Sequence, residues 1–202
     1  MDLVKIIIDE MRNQYKRKCE LPEGKELLLY LHSMMLITGR SDIMYCNCFL
    51  AEATQLLINS IFLYEEGYFD CAFYSVRKAS EVFNAMLYLS EDKDELKKWT
   101  TKERFPMDSK IRKKLEDMVW GYQEIKTILC DYFKHHRELI NRCHKIIHKQ
   151  GFDTFYVTRR QGESSIEEDK KLFVETLKYT IGIGIILFVI LEPLSLALAD
   201  DE

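Results

Sequence analysis

Apolar residues recur along most of this chain at three- and four-residue intervals, the period of an amphipathic helix, and the interruptions between such stretches are few. The opening MDLVKIIIDEMRNQYKRK predicts a first helix, because its apolar run is short and set between acids and bases. CELPEG then predicts a turn around Pro22 and Gly24. A second helix, KELLLYLHSMMLITG, is expected to end near Gly39, with Ser41 and Asp42 capping a third that runs to Tyr64. Glu66-Gly67 ends that helix and YFDCAFYSVRKASEVFNAMLYL begins another at once, so the two must fold back as an antiparallel hairpin.

Between 91 and 121 the pattern turns charged and mixed, with Pro106 as a breaker. It predicts a short helix, a loop and a short amphipathic helix. Gln123 to Gln150 predicts one long helix whose core stripe runs Ile125, Ile128, Leu129, Tyr132, Phe133, Leu139, Ile140, Cys143, Ile146 and Ile147, stopped by Gly151. FDTFYVTRRQGESS has the aromatic and β-branched content of an extended segment, and a last helix is expected from Ser165, where Ser-Ile-Glu-Glu resembles a capping start. Its apolar run from Tyr179 to Leu191 falls short of the roughly 20 residues of a membrane span. It predicts a buried helix facing the core or a second copy, with a membrane anchor as the alternative, and Gly182 and Gly184 as a point of close helix packing or a flexible spot.

Composition agrees with an all-α chain: 8 glycines and 3 prolines in 202 residues leave no room for the turns of a sandwich or barrel. The length suits a single domain over 1–202, divided into N-terminal helices (1–40), hairpin (41–90), charged insertion (91–121) and a closing unit (122–202). Six cysteines without a Cys-x-x-Cys pair read as reduced core residues of a cytoplasmic protein. A net charge of −4 excludes a protein that coats nucleic acid indiscriminately, so any anion site must be local.

One segment is locally basic. Lys134 to Lys149 carries five Lys or Arg against one Glu, and four of the five histidines. Histidine moves protons near neutral pH and arginine offers a planar donor fork to phosphate, so the combination suits phosphodiester chemistry. On an ideal helix Arg137, Asn141, His144 and His148 fall within about 60° of one another, a polar stripe beside the apolar one. The same residues also fit a solvated basic face with His136 packed into the core. His144 and His148 with Cys143 lack a further ligand source, so no metal and no cofactor are expected.

EEGYFDCAFYSVRKASEVFNAML and NRCHKIIHKQGF resemble the opening helix pair and the Arg-x4–6-His motif of the HEPN superfamily, small helical proteins of prokaryotic defence and abortive infection. The likeness covers roughly residues 45–90 and 122–190. It implies a four-helix up-and-down bundle with extra N-terminal helices, a homodimer, and metal-independent RNA cleavage in antiviral defence or stress, with a regulatory partner protein as a further expectation. In such a site the ribose 2′-hydroxyl attacks the adjacent phosphate. His148 would move the proton, Arg142 would steady the phosphate charge, and Asn141 or His144 would orient either group; Arg137-x6-His144 is a second pair of legal spacing. Arg137, Lys145, Lys149, Arg159 and Arg160 would contact RNA. The alternative is a non-catalytic HEPN-like module that binds RNA or a partner protein.

Overall fold

The computed structural model describes residues 3–15, 18–38, 44–101, 108–119 and 121–193; Gly39, Ser41, Asp42 and Pro106 lie outside them. No strand occurs among the described residues. Ten α-helices do: α1 (Leu3–Tyr15), α2 (Gly24–Ile37), α3 (Met44–Glu65), α4 (Phe69–Glu91), α5 (Lys93–Thr100), α6 (Asp108–Met118), α7 (Tyr122–Ile128), α8 (Cys130–Ile147), α9 (Tyr156–Arg159) and α10 (Glu163–Leu191). The chain is an all-α helical bundle.

The α3–α4 hairpin is set by its turn. Gly67 adopts φ +85°, and its N–H bonds Tyr64 O at 3.0 Å while Tyr68 N–H reaches Leu63 O at 2.8 Å. This pair of bonds closes the end of α3, and glycine is the residue that takes the left-handed conformation without strain. The hairpin then packs along its length, and α4 also lies against α6, α8 and α10. Phe73, Phe83 and Met86 of α4 are fully buried, as are Leu50, Leu57 and Ile61 of α3 and Phe173, Leu177 and Leu187 of α10. Each such side chain contributes about 1.5–3 kcal/mol relative to exposure. Tyr64 stacks on Phe173 with centroids 4.2 Å apart, joining α3 to α10 at the hairpin end of the core. Gly184 lies under the Phe83 ring and Gly182 under the Tyr132 hydroxyl, the close packing expected of this pair.

Four expectations need correction. The single helix of 123–150 is broken at Leu129 (φ −103°, ψ 31°) into α7 and α8. The two halves are held by different neighbours: Tyr122 is buried and Lys126 pairs with Glu116 of α6, whereas α8 buries His136, Leu139, Cys143 and Ile146. Ile128 (78% exposed) and Leu129 therefore leave the predicted core stripe. The segment after α8 is a 3-10 turn (Phe152–Thr154) followed by α9, not extended chain, because Arg159 and Arg160 must turn inward to reach a buried carboxylate. The last helix begins at Glu163, two residues before Ser165, and Gly162 at its N-cap makes no side-chain bond. Finally, only Cys46 and Cys143 are buried; Cys48, Cys71 and Cys130 are exposed, and none of the six is joined in a disulfide.

Tyr45–Glu65 and Glu163–Leu191 are long and apolar enough to cross a bilayer by length and composition, and about half of each apolar window is buried inside the fold. The 13-residue run noted in the sequence thus sits in a helix of 29 residues.

Candidate functional site

Helix α8 has one apolar face and two charged flanks. The apolar face packs on α4 and α10, which fixes the rotation of the helix and so decides where each flank points. Arg137, Asn141 and His144 line a cleft of about 390 Å³ whose far wall is Arg77, Glu81 and Asn84 of α4 and Arg112 of α6. Phe133, Ile140 and Ile183 give it an apolar floor. On the other flank Arg142 and Lys145 border a groove of about 360 Å³ with Asp153, Thr158 and Glu168.

The two Arg/His pairs of legal spacing are therefore not equivalent. Arg137 and His144 share one cleft. Arg142 lies in the other groove, while His148 caps the C-terminus of α8 and packs its ring 4.3 Å from that of His144. Burial, then the charges of Arg77 and His148, hold the His144 imidazole below its usual pKa. It is accordingly neutral at pH 7, the form that accepts a proton.

Three of the sequence candidates are engaged elsewhere. Lys149 pairs with Asp70 of α4. Arg159 and Arg160, each 8% exposed, turn away from solvent. Arg159 pairs with both Asp169 and Asp70, Arg160 Nη1 lies 3.4 Å from Asp169 Oδ2, and the Arg160 guanidinium covers the Phe69 ring at 3.7 Å. Their geometry is that of a buried ion-pair cluster tying α4, α9 and α10, not of open phosphate donors. Cys143 is also removed from chemistry: burial pushes its thiol up to about 12, and its neighbour is Thr176. Among the described residues no group of three His, Cys, Asp or Glu is placed to hold a metal ion.

Apart from Arg112, the far wall comes from α4, a helix that carries none of the candidate residues named from the sequence. Arg77, Glu81 and Asn84 recur at four- and three-residue spacing inside an otherwise apolar helix, a polar stripe legible in the sequence. Arg77 Nη2 sits 2.6 Å from Glu81 Oε1, and Lys78 Nζ lies 3.1 Å from Glu81 Oε2.

His136 is the packed histidine that the apolar stripe requires. Its Nε2 is 3.3 Å from Thr180 Oγ1, and burial, helped by Arg112 and His135, brings its pKa down to about 4. Below pH 6.5 the unfolded chain binds a proton here that the folded chain refuses until about pH 4. Stability is therefore lost as pH falls through that window, by about 3 kcal/mol at its lower end. Urea unfolding at several pH values should show this slope in the wild type and a flatter one in His136→Gln; equal slopes would assign the loss to other groups.

Compared with models of protein families, with curated proteins and with solved structures, the chain matches none.

Proposed function

We propose that the chain is a HEPN-like, metal-independent endoribonuclease of cell defence or stress, acting in the cytoplasm as a homodimer built around a four-helix up-and-down core. The observation that carries this reading is the cleft in which Arg137, Asn141 and His144 of α8 meet Arg77 of α4. It offers a neutral imidazole beside guanidinium groups, the two chemical parts that phosphodiester transfer to a 2′-hydroxyl needs.

In this mechanism His144 takes the proton of the ribose 2′-hydroxyl as that oxygen bonds to phosphorus. Arg137 and Arg77 face the phosphate as it becomes five-coordinate. The P–O5′ bond then breaks, the departing oxygen takes a proton from water while His144 returns its own to solvent, and a 2′,3′-cyclic phosphate remains. Arg142, of the HEPN-like motif, lines the groove with Lys145, and the His148 ring packs on that of His144. A second copy that brings another Arg142/His148 pair to the end of α8 would let the two pairs work together.

Incubation with single-stranded RNA in EDTA tests this. His144→Ala should slow cleavage by about 10²–10⁴-fold, the usual range for a general base, with folding retained because the side chain is at the surface of the cleft. Loss confined to an Arg142→Ala/His148→Ala variant would move the chemistry to the dimer-dependent pair. Intact RNA with the wild type would sink the ribonuclease reading.

A second reading, a non-catalytic HEPN-like module for RNA or a regulatory partner protein, is favoured by one feature of the same cleft. Glu81 on Arg77 and Glu116 on Lys126 neutralise two of its cations. Such a module would bind RNA with an affinity that falls as salt rises and release it uncut.

A further inference from the structure

Just beyond α8 two phenylalanines stand in solvent. Phe152 is 87% and Phe155 42% exposed, with ring centroids 6.0 Å apart and planes 30° from parallel. The backbone that carries them is pinned. Thr154, between them, is buried; its hydroxyl donates to Gly151 O at 2.7 Å, and Phe155 N–H donates to Phe152 O at 3.2 Å. Arg159 Nε donates to Thr154 O at 3.3 Å, and Arg159 is itself held by Asp169 and Asp70. The fold thus holds two apolar rings out in water on a fixed support, against their tendency to bury.

The groove holding Arg142 and Lys145 begins at this turn, since Asp153 and Thr154 form part of its wall. Both cations are exposed and neither has a carboxylate partner among the described residues. Asp153 and Glu168, across the groove, are acceptors for amino groups. Flat apolar faces, unpaired cations and amino-group acceptors match the three parts of an unpaired nucleotide: its base face, its phosphate and its exocyclic amine. At about 150–250 Å² per aromatic side chain, the pair supplies well under the roughly 800 Å² per partner of a stable protein interface.

We infer that Phe152 and Phe155 form a stacking platform for the bases of unpaired RNA, whose phosphates are held by Arg142 and Lys145. The inference rests on the ribonuclease reading for the choice of RNA and adds a binding surface on the flank of α8 opposite the cleft. Single-stranded segments and loops are taken, because bases inside a duplex present no free face to a ring. Preference among bases is weak, since every base has a face to stack.

Fluorescence anisotropy of labelled, fully 2′-O-methylated single strands separates binding from cleavage, as the blocked 2′-oxygen cannot attack. Phe152→Ala/Phe155→Ala should weaken binding about five-fold or more with an unchanged dependence on salt, and Phe152→Tyr/Phe155→Tyr should restore it. Arg142→Ala/Lys145→Ala should make the log–log salt dependence shallower by about 1.4, near 0.7 per phosphate. Wild-type affinity in the alanine pair, equal affinity for a blunt duplex, or no binding by the wild type would each overturn the platform. A change of oligomeric state in the alanine pair, read by light scattering, would overturn it too by making the rings a protein contact. Cleavage of unmodified RNA, run in parallel, keeps the two ideas apart: ring-dependent binding with uncut RNA retains the platform and removes the nuclease, and ring-independent binding with cleavage does the reverse.

Discussion

Asp169→Ala should destabilise the protein by about 3–5 kcal/mol, a large part of the roughly 5–15 kcal/mol that holds a domain together. Asp169 is 4% exposed and accepts from Arg159, from Arg160 and, at 3.1 Å, from the Tyr64 hydroxyl. Burial and the Asp169 carboxylate hold the Tyr64 phenol far above its ordinary pKa, so it remains a donor. Removal of the carboxylate strands two guanidinium groups in the interior, with only Asp70 left to face one of them. The cost of an unpaired buried charge is larger than the net worth of the pair, which is why deletion is expected to be severe. Thermal melting followed by circular dichroism measures it; a loss below about 1 kcal/mol would mean that water reaches the cluster and screens it.

Gly184→Val should cost about 2–3 kcal/mol by overpacking, whereas Gly182→Ala should be close to neutral. A Cβ at 184 would overlap the ring of Phe83, which is fully buried between α4 and α10 and has nowhere to retreat. A Cβ at 182 meets only the hydroxyl end of Tyr132, a half-buried side chain that can swing aside, and alanine regains about 1 kcal/mol of helix propensity over glycine. Denaturant midpoints of the two variants decide the matter. Equal losses would show that Phe83 shifts as freely as Tyr132, and that the α4–α10 contact is loosely fitted.

The helices that carry the core were legible because each repeats its apolar positions over several turns and because Gly67 marks the hairpin. His136 and the Gly182/Gly184 contact were legible for the same reason: their places on a periodic face leave them little choice. The break at Leu129 was not, since Thr127-Ile128-Leu129-Cys130 contains neither proline nor glycine and the bend comes from two different sets of neighbours. Arg159 and Arg160 read as surface cations because charge alone does not reveal the partner; Asp169, ten residues on in the next helix, brings them inside. In the candidate site, the flank holding Arg137, Asn141 and His144 followed from helical spacing. Its opposite wall depended on how α4 is turned against α8, which spacing within α8 does not encode.

Both ends of α8 are fixed by backbone geometry. At one end is the break at Leu129; at the other, Lys149 adopts φ +54°, with Gln150 N–H bonded to Lys145 O at 2.9 Å and its own amine paired with Asp70. This governs how the chain can change in length. One residue inserted within 130–147 would turn all that follows by about 100°, carrying either the core face or His144 out of place. One inserted at 128–129, where both side chains already lie towards water, can be taken up as a wider bend. Relatives of this chain that differ in length along this stretch are therefore expected to differ there, with the run from Cys130 to Lys149 kept at constant length.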